Sequence, residues 1–199
     1  KNIADTLTHG TIDIKVTIPE GWRNTEIALK FAQELSIPEN EFLKVALEGY
    51  MFPDTYFFPK DASASTVAKI MFDNFNLKTV KLKEKNIPGN KFTLDDLVKI
   101  ASLVEREALF GQDRPLAASV ILNRLNIGMK LDIDATIQYA LGYQTNEKSW
   151  WKKELTMEDL GIKSDFNTYK NSGLPPTPIS NPGILAMEAV INVSIAATR

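Results

Sequence analysis

Apolar and polar positions recur in a regular pattern through residues Asp96–Gly111. Its apolar side chains recur at three- and four-residue spacing, which predicts a helix with one face in a core. Lys99 and Arg106 are expected on the solvent side. Glu107 is the next position on the apolar stripe, so its carboxyl group is expected to be partly desolvated, with a raised pKa. The alternative is that the stripe ends at Val104 and that Glu107 is a solvated residue of the last turn. The stripe consists of Leu97, Ile100, Leu103 and Val104.

Similar patterns predict the other elements of a mostly helical α+β fold. Strict alternation at Thr11–Ile18 predicts a half-buried strand. Thr25 and Asp134 are predicted as N-terminal caps of helices, and Thr93 and Asp96 have the spacing of a capping box. The predicted helices are Thr25–Leu35, Glu39–Leu47, Ala64–Lys85, Arg114–Ile127, Ala135–Leu141 and Gly183–Val193, with short pieces at Trp150–Glu154 and Met157–Leu160.

Two stretches are predicted to lack helix. Glu48–Lys60 holds five aromatic residues, two prolines and a glycine, and is expected to be extended or looped. Ser164–Pro182 is rich in Pro, Gly, Asn, Ser and Thr. An irregular segment of that length is uncommon in a compact domain and is usually functional or disordered.

Composition excludes several kinds of chemistry. A length of 199 residues suits one or two domains, and a net charge of -2 gives no broad basic surface for nucleic acid. Without cysteine the chain cannot form disulfides or thiolate sites. Its one histidine, His9, makes a histidine metal site or a Ser-His-Asp triad very hard to build. No apolar run is long enough to span a bilayer.

Several linked motifs carry a family resemblance. They are LEGYMFPDTYFFP at Leu47–Pro59, ASLVEREA at Ala101–Ala108, ILNRLNIGMKLDIDATIQYALG at Ile121–Gly142, FNTYKNSGLPPTPISNPG at Phe166–Gly183 and AMEAVIN at Ala186–Asn192. In this order and spacing the chain resembles the MltG/YceG-like family of endolytic murein transglycosylases. VTIPEGW at Val16–Trp22 resembles the family's junction between a LysM-like piece and the catalytic domain.

The resemblance implies a two-part organisation. Residues 1–38 would form a partial LysM-like junction subdomain. Residues 39–199 would form the YceG-like catalytic domain, with a lytic-transglycosylase-like active site and with its C-terminal part missing. The full-length protein would be anchored in the bacterial inner (cytoplasmic) membrane, with this domain on the outer, periplasmic face and with peptidoglycan synthases as candidate partners.

The same resemblance implies site residues. In the family motif [ST]-x-x-E-[KR]-E the second glutamate is catalytic, which assigns that role to Glu107 and agrees with the helical pattern. Glu105 is the fallback, and its alternative role is a structural partner of Arg114 or Arg124. Asn167 and Thr168 bind sugar or instead hold the turns of their own loop. The implied substrate-binding residues are Asn167, Thr168, Tyr169, Gln138, Asn123 and Glu105, and Trp22, Trp150 and Trp151 are candidates for stacking on sugars.

The implied reaction is non-hydrolytic cleavage of peptidoglycan. A protonated Glu107 would act as general acid and then as general base, giving 1,6-anhydromuramyl ends with no cofactor and no metal. One alternative is a muramidase-type hydrolase, which needs a second carboxylate from Asp132 or Asp134. The other is a glycan-binding module without catalysis.

Overall fold

The computed structural model describes residues 13–85, 92–108 and 110–196. It is the mostly helical α+β fold that the sequence predicts, with one small sheet. Thr11 and Ile12 of the predicted strand, and His9, lie outside the described residues. No helix in the described part of the chain has the length and apolar character needed to cross a membrane.

The elements follow one another in the order β1, α1, α2, β2 and then six further helices of the described chain. Their bounds are β1 Asp13–Thr17, α1 Asn24–Leu35, α2 Glu39–Val45, β2 Thr55–Pro59, α3 Ala64–Lys85, α4 Leu94–Glu107, α5 Arg114–Asn126, α6 Asp134–Leu141, α7 Met157–Leu160 and α8 Ile184–Ala196, with a 3₁₀ turn at Gly111–Asp113.

The sheet and the first helices share one core. β1 pairs antiparallel with β2, with Val16 opposite Tyr56, so the buried face of each strand points toward α1. The ring of Phe31 in α1 meets Phe42 and Phe58 edge-on, at centroid distances of 4.9 and 5.4 Å. Aromatic pairs in this geometry add to the stabilisation from burial. The core therefore ties β2, from the predicted extended segment, to α1 and α2.

Helix α4 is the centre of a second core. It packs against α5 and α8, and its buried surface is wider than the predicted stripe because Val98 and Ala101 are buried as well. Its first turn has the predicted capping box: Asp96 N–H donates to Thr93 Oγ1 at 3.2 Å, and Thr93 N–H donates to the Asp96 carboxylate at 2.9 Å.

The long segment Ser164–Pro182 is irregular, as predicted, but it is held in place at its end. Ile179 N–H donates to Ser102 Oγ at 3.1 Å, and Ser180 Oγ donates to the Ser102 carbonyl at 3.3 Å. Both contacts lie on the helix that carries Glu107. The loop is therefore attached directly to α4.

Three predicted local features are wrong. Helix α4 ends at Glu107, four residues before the predicted end. Thr25 and Asp134 are not caps: α1 and α6 begin one residue after Arg23 and Ile133, and the Arg23 N–H donates to the Glu26 carboxylate at 3.0 Å.

Residues Trp150–Glu154 are not helical. Trp151 N–H donates to Ser149 Oγ at 3.0 Å, and Lys153 N–H donates to the Glu147 carboxylate at 2.9 Å. These side chains take the backbone groups that a helix would use.

Candidate active site

Glu107 is the last residue of α4 and opens onto a cleft of about 320 Å³. The residue is exposed, whereas its neighbour Ala108 is buried. The side chain therefore lies at the edge of the core, facing the cleft. The cleft is lined by Glu107, Ala108, Asp113, Leu116, Ala117, Val120, Ile121, Arg124, Leu131, Asp132 and Ile133.

The surroundings of Glu107 favour its protonated form. Partial burial raises the pKa of its carboxyl group, and the nearby negative charge of Asp134 raises it further. A hydrogen bond from the Ala135 N–H and the charge of Arg106 lower the pKa, but the net direction is upward. Glu107 is an exposed residue of the last turn, as in the alternative interpretation of the stripe, yet partial burial still raises the pKa of its carboxyl group. A carboxyl group in this state is suited to general acid catalysis.

Asp134 and Tyr169 form a hydrogen-bonded pair beside Glu107. Tyr169 Oη donates to Asp134 Oδ1 at 2.6 Å. Burial and the bond to Asp134, together with the charges of Asp132 and Glu107, raise the pKa of the Tyr169 hydroxyl to about 12. Tyr169 therefore keeps its proton near neutral pH and remains a donor. The structure brings this predicted residue to the same place as Glu107.

Thr168 and Asn167 point into the protein. Thr168 Oγ1 accepts the Ile133 N–H at 3.0 Å and lies 2.9 Å from Thr136 Oγ1. Asn167 Nδ2 donates to the carbonyls of Leu160 and Ile162, at 3.0 and 2.8 Å. Asn167 Oδ1 also accepts the Tyr169 N–H at 3.0 Å, so Asn167 holds a turn of its own loop, whereas Thr168 ties the loop to the start of α6. A sugar contact by either residue stays a prediction.

Glu105 has the structural surroundings of its alternative role. Its side chain is 6% exposed, and its two oxygens accept bonds from Arg114 Nη2 at 2.8 Å and from Gly183 N–H at 2.9 Å. Arg114 also reaches Glu20 at 3.3 Å. The carboxylate is therefore occupied by groups that join α4, α5 and the start of α8.

The remaining predicted residues lie away from Glu107 or on the cleft wall. Gln138 Nε2 donates to the Lys152 carbonyl at 2.6 Å, and Asn123 is exposed on α5 and is not part of the cleft lining. Arg124 and Asp132 do line the cleft, with Arg124 Nη1 lying 3.5 Å from Asp132 Oδ2. Arg124 also donates to the Leu131 carbonyl.

Arg106 does not lie free in solvent as the helical pattern predicts. It is half-buried, and its guanidinium lies 3.7 Å from the centroid of a Trp151 ring. Trp151 in turn donates its indole N–H to Glu26 at 3.1 Å. Trp150 lies 5.0 Å from the guanidinium of Arg23. Both tryptophans thus contact arginines of this chain, a pairing that no spacing in the sequence indicated.

A second carboxyl group with a perturbed pKa lies behind the site. Glu48 accepts bonds from the Asn24 N–H at 2.9 Å, from Asn181 Nδ2 at 3.3 Å and from Tyr139 Oη at 3.2 Å. Burial raises its pKa to about 7 despite these donors and the charge of Arg23. The sequence analysis missed Glu48. Its position in LEGY, before the aromatic segment, was the one available signal.

Comparisons with known proteins agree on the family. The YceG-like family model matches residues 1–197. An endolytic murein transglycosylase of Bacillus subtilis is 39% identical over 154 residues, or 77% of this chain and 41% of the relative. One of Streptococcus pneumoniae is 37% identical over 146 residues, or 73% of this chain and 26% of the relative. The chain therefore spans less than half the length of these relatives.

A solved structure shares the fold. The crystal structure of a yceG-like protein from Listeria monocytogenes superposes with a TM-score of 0.80 at 30% sequence identity. The match covers 94% of this chain and 70% of the other. Since the family model matches nearly the whole sequence and a yceG-like structure has the same fold, the chain belongs to the YceG-like family.

Proposed function

We propose that this chain carries the active site of a peptidoglycan lytic transglycosylase that cleaves the bond between N-acetylmuramic acid and N-acetylglucosamine. The observation that carries the proposal is Glu107, a carboxyl group with a raised pKa at the mouth of a cleft. The names of the relatives, endolytic murein transglycosylases, support the same substrate class.

In the first step, protonated Glu107 donates its proton to the glycosidic oxygen. The bond between that oxygen and C1 of the muramyl residue breaks, and positive charge develops at C1. Partial burial and the negative charge of Asp134 raise the pKa of Glu107 and so favour its protonated form beforehand. The Ala135 N–H stabilises the carboxylate that remains, so it favours release of the proton.

In the second step, the Glu107 carboxylate accepts the proton of the C6 hydroxyl of the same muramyl residue. The C6 oxygen forms a bond to C1 and gives a 1,6-anhydromuramyl end. The nucleophile belongs to the substrate, so one carboxyl group suffices where ordinary glycosidases use two. Water must be kept from C1 during this step, and the apolar walls of the cleft, Leu116, Val120 and Ile133 among them, suit that requirement.

A muramidase-type hydrolase is the second candidate, because Asp132 lines the same cleft as Glu107 and offers a second carboxylate. Asp134 is less suited to the task, since the hydroxyl of Tyr169 already occupies one of its oxygens. The third candidate is a glycan-binding module that holds strands in the cleft without cutting them. The products of the reaction distinguish all three.

The organisation of the whole protein is also a proposal. Residues 1–38 would be a LysM-like junction and residues 39–199 the catalytic domain. The protein would be anchored in the inner membrane, with the domain on its outer face and with peptidoglycan synthases as partners. These statements rest on the family resemblance of the motifs.

Mass spectrometry of glycan strands incubated with the parent chain and with Glu107→Gln tests the function. We expect 1,6-anhydromuramyl ends from the parent and a loss of at least about a hundredfold in the variant, which keeps the shape of the side chain but has no proton to transfer. Glu105→Gln is unsuitable as a control because it disturbs the Arg114 pair, so Glu158→Gln, exposed on α7, serves instead.

The other outcomes reject the proposal in distinct ways. Reducing muramyl ends would establish the hydrolase. Binding of strands with no cleavage by the parent would favour the glycan-binding module. Full activity of Glu107→Gln would show that Glu107 takes no part in proton transfer.

A further inference from the structure

Arg106 is a half-buried cation that makes no hydrogen bond with the residues that the structure describes. Its Nε is buried and has no hydrogen-bond acceptor, and its guanidinium forms no ion pair with any residue in the described ranges. Its contact is the face of Trp151, at 3.7 Å. A buried donor that is left unpaired costs free energy, so such a group in a folded protein calls for an explanation.

The charges of Glu26, Glu105 and Glu107 favour the cationic form of Arg106, but none of these carboxylates forms an ion pair with it. Glu26 accepts the Arg23 N–H at 3.0 Å and the Trp151 indole N–H at 3.1 Å, and Glu105 is held by Arg114 and Gly183. Arg23 also has a buried, unpaired Nε, but it differs from Arg106 because its two Nη atoms donate to the carbonyls of Trp150 and Tyr139. Arg106 alone of this pair keeps its terminal nitrogens available.

Stacking prepares the Arg106 guanidinium to bind an anion. A ring against one face restricts the plane of the group but leaves its N–H edges free, and those edges match the two oxygens of a carboxylate. Gly21 packs near the same group, since a Cβ at this position would lie 3.4 Å from Arg106 Nη1. A guanidinium held in this way loses little conformational entropy when it binds an acceptor.

Arg106 also lies beside the proposed catalytic acid. It precedes Glu107 in the last turn of α4, and its charge acts on the Glu107 carboxyl group. Among peptidoglycan sugars, the muramyl residue is the one that carries an acid. Its C3 lactyl group ends in a carboxylate when the peptide stem is absent, and the stem supplies carboxylates when it is present. The lactyl group is attached to the same ring whose C1 would meet Glu107.

We propose that Arg106, stacked on Trp151, is a carboxylate-binding subsite that recognises the acidic substituent of the muramyl residue at the cleavage point. The inference rests on the proposed function and extends it to substrate specificity. It also separates the two sugars of the strand chemically, because N-acetylglucosamine has no carboxylate for Arg106 to bind.

Binding measured in the Glu107→Gln background tests this subsite without cleavage. The probes are a GlcNAc–MurNAc tetrasaccharide without stems, the same tetrasaccharide with pentapeptide stems, and chitotetraose, which has no carboxylate. Titration calorimetry would compare Arg106→Met, which keeps apolar contact with Trp151, and Arg106→Lys, which keeps the charge. Lys99→Met, on the same helix and paired with Asp95 at 2.8 Å, is the matched control.

We expect the Glu107→Gln protein to bind a muramyl tetrasaccharide about tenfold more tightly than chitotetraose, the size expected for a charged hydrogen bond. Arg106→Met should remove that preference and leave the affinity for chitotetraose unchanged. Arg106→Lys should retain part of it, and Lys99→Met all of it. If Arg106→Met weakens binding of the stem-free tetrasaccharide only, the ligand is the lactyl carboxylate. If it weakens binding of the stem-bearing tetrasaccharide only, the ligand is a carboxylate of the stem.

Two results would overturn the inference. One is equal affinity of the Glu107→Gln protein for the muramyl tetrasaccharides and for chitotetraose. The other is unchanged binding of the muramyl tetrasaccharides when Arg106→Met is added. If Arg106→Met does not fold, the test rests on Arg106→Lys. The inference then requires that Arg106→Lys weakens binding of the muramyl tetrasaccharides and leaves the affinity for chitotetraose unchanged. Rejection of the function is a separate observation, since it comes from cleavage by the parent and by Glu107→Gln.

Discussion

Glu107 and Asp134 are neighbouring carboxyl groups, and the charge of Asp134 acts on the pKa of Glu107. Burial is the first cause of the raised pKa of Glu107, and the charge of Asp134 is the second. Asp134 itself is held by the hydroxyl of Tyr169 at 2.6 Å. The proposed mechanism needs the acid form of Glu107 for its first step, so it predicts that activity falls as the pH rises through the pKa of Glu107.

Asp134→Asn tests this coupling. Removing the negative charge lowers the pKa of Glu107, so the alkaline limb of the kcat/KM profile should move to lower pH. The asparagine oxygen can still accept the Tyr169 hydroxyl, which limits the structural change. The measurement is the rate of anhydromuramyl ends formed between pH 4 and 9.

Asp113→Asn is the control for that profile. Asp113 lines the cleft, but it is not among the charges that act on the Glu107 carboxyl group. Its profile should match that of the parent. An unmoved alkaline limb in Asp134→Asn would mean that Asp134 does not set the protonation of Glu107.

At the scale of elements, the start of α6 is held by the irregular loop. Thr168 is buried and accepts the N–H of Ile133, the residue that precedes α6. The Thr168 hydroxyl also contacts the hydroxyl of Thr136, which lies in α6. Because Asp134 and Ala135 follow Ile133, this contact determines where the two groups that act on Glu107 lie.

Thr168→Val tests the role of that contact. Valine has nearly the same shape but cannot accept a hydrogen bond, so the Ile133 N–H is left unsatisfied in the interior. We expect the free energy of unfolding to fall by about 1–3 kcal/mol. We also expect a lower kcat, because α6 is less firmly held. Urea denaturation and steady-state cleavage would measure the two effects.

Thr55→Val provides the comparison for that variant. Thr55 is exposed on β2 and its hydroxyl meets Thr17 at 2.9 Å, so the same substitution there should change stability by less than about 0.5 kcal/mol. A similar small effect at Thr168 would show that the loop does not depend on this hydroxyl.

At the scale of the whole molecule, Glu48 joins parts that are far apart in sequence. Its carboxyl group meets Asn24 at the start of α1, Tyr139 in α6 and Asn181 in the loop before α8. Burial raises its pKa from 4.5 to about 7. The folded protein therefore holds this proton more tightly than the unfolded chain does. The stabilisation is complete below pH 4.5 and is lost as the pH rises through about 7.

Glu48→Gln should remove this pH dependence. Between pH 4.5 and 8, we expect the free energy of unfolding of the parent to fall by up to about 3 kcal/mol more than that of the variant. Urea denaturation at several pH values measures the difference. Glu158→Gln, at an exposed position, should show the same change of unfolding free energy with pH as the parent. An equally steep change in Glu48→Gln would show that Glu48 is not the origin of this pH dependence.

Local patterns determined most of the secondary structure. The helix Ala64–Lys85 and the capping box of Thr93 and Asp96 follow from periodicity and from the needs of a helix end, both of which act within a few residues. The family and the choice of Glu107 as candidate acid also came from the sequence, because the motifs lie at fixed spacing along the chain.

Tertiary contacts decided how the candidate site is built. Arg106 lies against Trp151, and Glu48 meets Tyr139, across separations of 45 and 91 residues that no helical or strand period can report. The same is true of the raised pKa of Glu107: its causes, burial in a cleft and the charge of Asp134, arise where α4 and α6 meet. Sequence periodicity describes which side of one element faces a core, whereas desolvation and charge depend on which elements pack together.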